Sequence, residues 1–404
     1  LHDISNELRD KGFGRGTVAV VGDVTDAARL DAVMREHRPE IVFHAAAHKH
    51  VPLMEDNPGE AVKNNVRGTR LLVEAAERHG VDRFIFISTD KAVNPTSVMG
   101  ATKRVAELLI DAQSRGSGTS FFTVRFGNVL GSNGSVVPRF LDQIRRGGPV
   151  TVTHPEMRRF FMLVPEAVQL VLHAAARGKN GCTYVLEMGE QVKIVDMART
   201  LIRLAGLVPD KEIPIVFVGL RPGEKLFEEL VGDQETREPS GVDSVFRVRP
   251  IRRPDASLLA ADIARLELAA NEGDQSSTLA RLAAIVPEFG CHAPAFPPVH
   301  AQTAADRAQE SAAAPAMAAG KCPTCQSFSL QRSHARSIAE RIKRNLSNER
   351  LHRCTACGWR GWLQPLDFAI CPETEKVHIP DFSALDAAIG NAASRPAFSP
   401  RNLH

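Results

Sequence analysis

Residues 83–107, with the sequence RFIFISTDKAVNPTSVMGATKRVAE, decide the fold of this chain. They open with an apolar run that is aromatic and β-branched, which predicts a short buried strand over residues 83–88. An Asn94-Pro95 turn signal follows, and residues 98–110 are rich in helix formers. A buried strand that leads through a turn into a helix is the repeating unit of a parallel α/β sheet.

The flanking segments continue this alternation. We predict helices over residues 1–11, 26–37 and 60–79 and strands over residues 17–21, 40–44 and 120–125, which together indicate a doubly wound parallel sheet. The glycines of KGFGRG, residues 11–16, look like a dinucleotide fingerprint. That fingerprint must follow a strand and open a helix, whereas this segment follows a helix and opens a strand, so we predict a plain loop.

Polar chemistry is concentrated where the strand of residues 83–88 ends. Thr89, Asp90 and Lys91 supply a hydroxyl, an acid and an amine in succession, and Met99 and Lys103 lie one helical turn apart on the same face. Ligands bind at the carboxyl ends of strands in open α/β sheets, so this layout indicates a catalytic site. The alternative is a surface turn followed by an ordinary amphipathic helix.

The string STDKAVNPTSVMGATKR resembles the UDP-N-acetylglucosamine 4,6-dehydratases of polysaccharide biosynthesis, which are extended short-chain dehydrogenase/reductases. In the subgroup it resembles, methionine occupies the tyrosine position of Ser/Thr…Tyr-x-x-x-Lys, as Met99 does here. The single tyrosine, Tyr184, has Met188 four residues on, so no Tyr-x-x-x-Lys occurs. The resemblance extends to about residue 290 and implies a Rossmann-like domain, NAD and a UDP-sugar substrate.

The resemblance also implies roles for these side chains. Lys91 takes the sugar C5 proton and Asp90 protonates the departing C6 hydroxyl. Thr89 hydrogen-bonds the C4 oxygen, and Lys103 holds the nicotinamide ribose. Met99 cannot move a proton, so either Asp90 or a bound water must accept the C4 hydroxyl proton.

Further positions are assigned to NAD by the same resemblance. Asp23 and Val24 would contact the adenine; the alternative for this acidic segment is a helix N-cap, a role that Asp26 fits better. The next strand is followed by residues that would let backbone approach the dinucleotide: Ala45, Ala46, Ala47 and Lys49. Downstream, Asn65 is expected to be structural and to tie loops to the sheet.

The substrate residues lie on two later segments. The glycine- and asparagine-rich loop of residues 126–140 offers backbone amides to a phosphate, with Asn128 and Arg139 as the expected contacts; turn geometry alone is the alternative. In GLRPGEKLFEEL, residues 219–230, the fork of Arg221 suits a diphosphate, and Glu224 accompanies it. The alternative there is a charged helix start with Glu224 and Glu228 on one solvated face.

Four cysteines near the end of the chain indicate zinc. Cys322 and Cys325 form one Cys-x-x-Cys pair, Cys354 and Cys357 form another, and 28 residues separate the pairs. Four thiolates at such spacing are typical of a closed structural zinc site, and the second pair disfavours a redox motif. The basic insert between the pairs is compatible with nucleic acid, anionic lipid, a solvated helix or protein docking.

We predict five regions: a truncated NAD-binding core (1–140), a smaller α/β substrate lobe whose strands can return to the core (141–291), a linker (292–320), a zinc-ribbon-like module (321–366) and a partly disordered tail (367–404). The family has a strand and a glycine-rich turn upstream of the position of Leu1. We therefore expect this chain to be a fragment, rather than a protein that lacks normal cofactor binding.

The totals fit an enzyme better than a nucleic-acid-binding protein. The 404 residues are 43% hydrophobic with a net charge of +3, and nothing resembles a signal or transmembrane segment. We expect a cytoplasmic homo-oligomer, at a membrane only through an upstream anchor. The sequence thus predicts a nucleotide-sugar 4,6-dehydratase. A nucleotide-sugar epimerase of the same fold, which the adjacent Asp90 and Lys91 disfavour, and a non-catalytic scaffold are the alternatives.

Overall fold

A computed structural model of the chain describes residues 2–132, 134–290, 330–332, 350–354, 357 and 360–363. Its helices are α1 (His2–Asp10), α2 (Ala27–His37), α3 (Val51–Asp56), α4 (Pro58–Ala61), α5 (Gly68–Arg78), α6 (Val98–Gln113), α7 (Val136–Arg145), α8 (Val164–Arg177), α9 (Ile194–Leu204), α10 (Ala256–Glu272), α11 (Gln275–Ile285) and α12 (Pro287–Gly290). A π-helical turn spans Val62–Arg67 and a 3-10 turn spans Asp90–Ala92.

The strands are β1 (Ile41–His44), β2 (Arg83–Thr89), β3 (Ser120–Phe126), β4 (Asn128–Val129), β5 (Val150–Val152), β6 (Arg158–Arg159), β7 (Phe161–Met162), β8 (Cys182–Leu186), β9 (Val192–Lys193), β10 (Ile215–Phe217), β11 (Glu235–Val242), β12 (Val245–Pro250), β13 (Leu330–Arg332), β14 (Arg350–Cys354) and β15 (Arg360–Leu363). Six of them form the main sheet, in the order β1-β2-β3-β8-β12-β11. The first four strands are parallel to one another, β12 pairs antiparallel with β8, and β11 pairs antiparallel with β12. The predicted Rossmann-like α/β sheet is confirmed.

Both faces of this sheet are covered. Phe84 and Phe86 of β2 pack with helices α5, α6 and α10 on one side. Ile85, between them, packs with α8 on the other side, next to Phe122 of β3. Successive side chains of a strand point to opposite faces, so an uninterrupted apolar run is what a strand buried on both sides requires.

Residues 58–78 depart from the single helix predicted over 60–79. Helices α4 and α5 are separated by the π-helical turn, in which Asn65 is buried. The Asn65 side chain accepts from His48 N (2.8 Å) and donates to His48 O (3.1 Å) and Thr102 Oγ1 (3.0 Å). Asn65 is therefore structural, as predicted, but it ties the loop after β1 to helix α6 rather than to the sheet.

The predicted strand over residues 17–21 is wrong. These residues have no strand pairing, and Val18 and Val21 are 66% and 79% exposed. A β-rich composition forms a strand only where a neighbouring strand supplies hydrogen bonds, and the main sheet ends at β1 on this side. The glycine-rich segment before it forms turns, so the loop predicted for residues 11–16 is confirmed.

The chain divides into two compact units. Of the described residues, the first, called here the sheet unit, comprises 2–128, Phe160–Gln191 and 221–290. The second comprises 129–132, 134–159, Val192–Leu220 and the described residues from 330 onward. Within the second unit β5 pairs in parallel with β10 and β6 pairs with β9 in antiparallel fashion, while β13, β14 and β15 form an antiparallel sheet.

In the part of the chain that the structure describes, no helix is both long and apolar enough to cross a membrane. The predicted linker and tail lie outside the described residues. So does most of the predicted zinc module, of which only the three strands β13–β15 and Cys357 are described.

Candidate active site

Thr89, Asp90 and Lys91 lie together at the carboxyl end of β2, where the strand turns into the 3-10 turn. The Thr89 hydroxyl donates to Asp90 Oδ1 (2.9 Å), and Lys91 Nζ donates to the same oxygen (3.0 Å). Lys91 N in turn donates to Thr89 Oγ1 (3.4 Å). The hydroxyl, acid and amine therefore form one connected group at the edge of the sheet where ligands bind in this class of fold.

The second carboxylate oxygen of Asp90 has no such partner. Asp90 is 0% exposed, and its Oδ2 makes no hydrogen bond within the described residues. A Cβ on Gly127 would lie 3.1 Å from this oxygen and 3.2 Å from Met188 Sδ, so glycine lets the backbone lie close to the acid. An open buried carboxylate oxygen costs free energy, and such a group calls for an explanation such as catalysis or a bound water.

Lys91 also contacts oxygens of Asn128 and Glu228. Its Nζ donates to Asn128 Oδ1 (3.2 Å) and lies 3.6 Å from Glu228 Oε1. The predicted substrate residue Asn128 is thus placed against the predicted base. The Glu228 side chain is 3% exposed, so the alternative that put Glu228 on a solvated helical face is wrong. The backbone there forms turns and bends rather than a helix, and the carboxylate therefore does not follow helical spacing.

Helix α6 packs closely behind this group. Its N-cap is Ser97, whose hydroxyl accepts from Gly100 N (3.0 Å). A Cβ on Gly100 would overlap the carbonyl oxygen of Lys91, so only glycine allows this approach. Met99, next to it, is 4% exposed and belongs to the apolar cluster between the sheet and its helices. Met99 therefore packs in the core where the resembling motif has a proton-transferring tyrosine.

Lys103 is buried one turn further along α6. Its Nζ donates to Ile87 O (2.6 Å) and lies 3.9 Å from the centroid of the Phe86 ring. Burial lowers the pKa of Lys103 to about 7, and attraction to Glu107 offsets this only in part. Burial, and repulsion from Lys103, also lower the pKa of His44 to about 3. Lys103 is thus a buried amine in a largely apolar setting.

The residues assigned to NAD fit such a ligand in part. Ala45 and Ala46 are exposed just after β1 and have no side chain that would block a dinucleotide. Asp23 Oδ1 accepts from Thr25 N (2.8 Å) and Thr25 Oγ1 (2.7 Å), and these bonds lower the pKa of Asp23. Asp26 caps α2 by accepting from Arg29 N, as predicted.

Val24, Ala47 and Lys49 lie on the same two loops as these residues. The assignment of these residues to NAD stays a prediction.

The Pro-Gly turn with Arg221 and Glu224 packs against the start of α6. Thr96 Oγ1 donates to Gly223 O (3.1 Å), and Arg221 N donates to Glu224 Oε2 (3.3 Å). Lys225 Nζ donates to Val93 O (3.0 Å). The structure therefore brings this predicted substrate segment to the loop that follows Lys91.

Arg139 belongs to α7 of the second unit. Its guanidinium lies 3.4 Å from Thr151 Oγ1 in the same unit.

A buried charge network next to the site was missed by the sequence analysis. Arg125 of β3 is fully buried and bonds both Glu107 of α6 and Glu235 of β11, with four contacts of 2.7–3.1 Å. Arg104 also bonds both carboxylates, and Ser88 donates to Glu107. The signal available in the sequence was an arginine inside the otherwise apolar strand SFFTVRF.

The arginines control the ionisation of these acids. Burial raises the pKa of Glu107, but attraction to Arg125 and Arg104 outweighs it and leaves the pKa below its usual value. Burial likewise opposes ionisation of Glu235, yet the same arginines lower its pKa to about 2. Both carboxylates are therefore charged at neutral pH.

The predicted zinc ligands lie largely outside the described residues. Cys322 and Cys325 are not described, Cys354 ends β14 and Cys357 is exposed. The zinc site stays a prediction.

The chain is similar in sequence to known proteins of one family. Residues 1–250 match the family model described as "Polysaccharide biosynthesis protein". The chain is similar to the capsular polysaccharide biosynthesis protein CapD of Staphylococcus aureus, with 54% identity over 250 residues that cover 61% of this chain and 41% of CapD. It is also similar to the probable polysaccharide biosynthesis protein EpsC of Bacillus subtilis (strain 168), with 53% identity over 237 residues, 58% of this chain and 39% of EpsC. The chain thus spans about two fifths of these curated relatives.

Among solved structures, Pen from Bacillus thuringiensis is similar at 35% identity with a TM-score of 0.55. The similarity covers 62% of this chain and 76% of Pen.

Proposed function

The chain belongs to the polysaccharide biosynthesis protein family, and on that premise we propose that it serves an NAD-dependent 4,6-dehydration of UDP-N-acetylglucosamine. One observation carries the proposal: a buried acid and an amine, Asp90 and Lys91, share a hydrogen bond of 3.0 Å at the end of β2 beside the Thr89 hydroxyl. Elimination of water across two adjacent carbons needs such an acid and base close together. The product would be a UDP-4-keto-6-deoxy sugar.

NAD, when bound, would supply a hydride acceptor for sugar C4 and a hydride donor for C6. Ala45–Ala47 and Lys103 are the residues best placed to hold it. For the oxidation step the chain must also remove the proton of the C4 hydroxyl. Thr89 and Asp90 suit this task because the Thr89 hydroxyl already donates to Asp90 Oδ1 (2.9 Å). The proton would pass through the hydroxyl to the carboxylate, and the buried thioether of Met99 takes no part.

The elimination then uses both members of the pair. Lys91, in its neutral form, takes the proton from C5, and Asp90 gives the proton received from the C4 hydroxyl to the departing C6 hydroxyl. The proton gained by Asp90 in the oxidation thus leaves with water. Lys91 afterwards returns its proton to C5 as C6 is reduced, so both groups recover their starting states.

Asn128 and Arg221 would hold the substrate around this pair. Asn128 contacts Lys91 directly, and its amide is suited to a sugar hydroxyl. The Arg221 fork fits a diphosphate, with Glu224 fixing the turn that carries it. Arg139 is proposed as a further phosphate contact.

The test is to incubate the full-length protein with UDP-N-acetylglucosamine and NAD in deuterium oxide and to follow the sugar by NMR and mass spectrometry. We expect loss of one water and a single deuterium at C5, because Lys91 exchanges its proton with solvent. Lys91→Ala should abolish both, and the exposed control Lys11→Ala should change neither.

Other outcomes would contradict the proposal in distinguishable ways. A C4 epimer without loss of water would identify an epimerase. No conversion of any nucleotide sugar would favour a scaffold. Undiminished product from Lys91→Ala would remove the base from the mechanism.

A further inference from the structure

Glu228 approaches Lys91 from a segment far from it in sequence. Its Oε1 lies 3.6 Å from Lys91 Nζ, and the Glu228 and Lys91 side chains are 3% and 21% exposed. The Lys91 amine thus donates hydrogen bonds to Asp90 and Asn128 and forms an ion pair with Glu228. A buried carboxylate beside a base that must pick up a proton is a chemically specific arrangement.

We propose that Glu228 is a positioning residue for Lys91, which orients the amine and stabilises the ammonium ion that forms when Lys91 accepts the substrate proton. The inference rests on the proposed function and adds a member to its site. A catalytic base is commonly oriented by a third group, and a buried carboxylate stabilises the protonated base without accepting the proton itself. Asp90 remains free for its exchange with the substrate oxygens, because the second carboxylate supports the charge on Lys91.

The segment that carries Glu228 is held at several points. Gln191 Nε2 donates to the carbonyl of Glu228 (2.6 Å), and Arg125 donates to the carbonyl of Leu230 (3.1 Å). Before it, Lys225 is anchored to Val93 O. These contacts fix the backbone on both sides of Glu228, so its carboxylate meets Lys91 in a defined position rather than as a mobile surface group.

The electrostatic consequence is measurable. Two carboxylates, those of Asp90 and Glu228, face the Lys91 amine, whereas Asn128 is neutral. An opposite charge within 4–6 Å favours the charged form of a group, and more strongly so in a buried setting. Glu228→Gln keeps the shape and removes the charge, so Lys91 should give up its proton at lower pH.

The experiment measures the protonation of Lys91 directly. Full-length wild type and the variants Glu228→Gln, Glu228→Asp and Glu229→Gln are labelled briefly with acetic anhydride across a pH series, and acetylation of Lys91 is quantified by peptide mass spectrometry. We expect Glu228→Gln to shift half-maximal labelling to lower pH by about one unit. Glu228→Asp, which keeps the charge, should restore most of the profile. Glu229→Gln is the matched control, since its exposed side chain pairs with Lys225 and Asn94.

Activity gives the second measurement. With UDP-N-acetylglucosamine, Glu228→Gln should lower kcat about tenfold with little change in KM and should move the acid limb of the pH profile in the same direction as the labelling. A purely structural glutamate would lower the melting temperature without moving either profile. An unshifted labelling profile in folded Glu228→Gln would overturn the proposal.

Failure of the variant to fold, and absence of product from wild type, are each tested by a separate measurement. If Glu228→Gln fails to fold, melting temperatures of Lys91→Met and of Lys91→Met with Glu228→Gln decide the matter. We expect the second substitution to recover stability, because it removes a buried charge left without its lysine; simply additive losses would overturn the pairing. The labelling needs no turnover, so a wild type that forms no keto sugar refutes the proposed reaction and leaves the pairing test intact.

Discussion

Two buried clusters of carboxylates and cations lie on the sheet unit and differ in how completely they are bonded. In the cluster of Arg125, Arg104, Glu107 and Glu235, all four carboxylate oxygens accept hydrogen bonds from the arginines. In the cluster of Asp90, Lys91 and Glu228, Asp90 Oδ2 accepts none within the described residues. Both clusters are largely buried, yet among the described residues the second leaves Asp90 Oδ2 without a hydrogen bond.

The difference separates a scaffold from a reaction centre. A fully bonded buried network is rigid and costly to disrupt, because each member compensates the desolvation of the others. An acid with an open oxygen is less stable than it could be, and proteins retain such groups where chemistry requires them. The Arg125 network also holds Leu230 and so supports the segment that carries Glu228.

Replacing a carboxylate by an amide should reduce activity in the Asp90 cluster and stability in the Arg125 cluster. Asp90→Asn has the larger expected effect on activity. We expect kcat to fall about a hundredfold to ten-thousandfold, since an amide can neither accept nor donate the transferred proton. The melting temperature should change little, because an amide oxygen can still accept from Thr89 and Lys91. Product assays and thermal melts, with the half-exposed Asp262→Asn as control, check this. Unfolding of the Asp90→Asn variant would show that Asp90 has a structural role like that of the Arg125 network.

Glu107→Gln replaces a carboxylate by an amide in the Arg125 network. We expect the free energy of unfolding to fall by about 3–5 kcal/mol, since the arginines keep their charge and lose part of their compensation. Urea denaturation measures the loss, and Glu272→Gln at the exposed end of α10 is the control. Activity per folded molecule should stay within a few-fold of wild type. A stable but inactive Glu107→Gln would show that the network takes part in the reaction.

Acid should weaken the network in a predictable pH range. The folded pKa of Glu235 is about 2, below its unfolded value of 4.5. The folded state thus holds this proton less tightly, so the stabilisation is present above about pH 4.5 and is lost as pH falls toward about 2. We expect Glu235→Gln to flatten the fall of the urea midpoint in that range. Equal slopes of the urea midpoint against pH for wild type and variant would contradict the lowered pKa of Glu235. His44, whose pKa is also lowered, is present in both proteins, so its contribution cancels in the comparison.

Much of the fold followed from local patterns. The apolar run of β2 and the helix formers of α6 predicted the central βα unit, because a strand buried on both faces has no polar alternation. Residues 17–21 misled for the opposite reason: their composition favours a strand, but pairing depends on a neighbour that composition does not reveal. The π-helical turn at Asn65 was also hidden, since its reason is a tertiary contact with the loop after β1.

The site was predictable where it is local in sequence. Thr89, Asp90 and Lys91 are consecutive, and the structure joins them as expected. Glu228 entered the prediction only through the alternative that assumed helical spacing and a solvated face, and tertiary structure brings it to Lys91 from 137 residues away. Long-range partners of this kind carry no sequence period, and neither does the set formed by Arg125 and Glu235.

Lys103 sharpens the comparison, because it is a buried cation whose hydrogen-bond acceptor is the carbonyl oxygen of Ile87 rather than a carboxylate. Its folded pKa of about 7 lies below the unfolded value of 10.5. Between these values the unfolded state binds more protons, so stability rises with pH, and the full cost of burying the charge is present below about pH 7.

Lys103→Met removes that charge. We expect its melting temperature to exceed that of wild type by a few degrees near pH 6.5, with the advantage shrinking toward pH 10. Thermal melts across this range, with exposed Lys11→Met as control, test the sign. A constant difference at all pH values would mean that folding does not shift the pKa of Lys103. A gain in stability coupled to loss of product would instead place Lys103 with Asp90, among groups kept for the reaction at the expense of the fold.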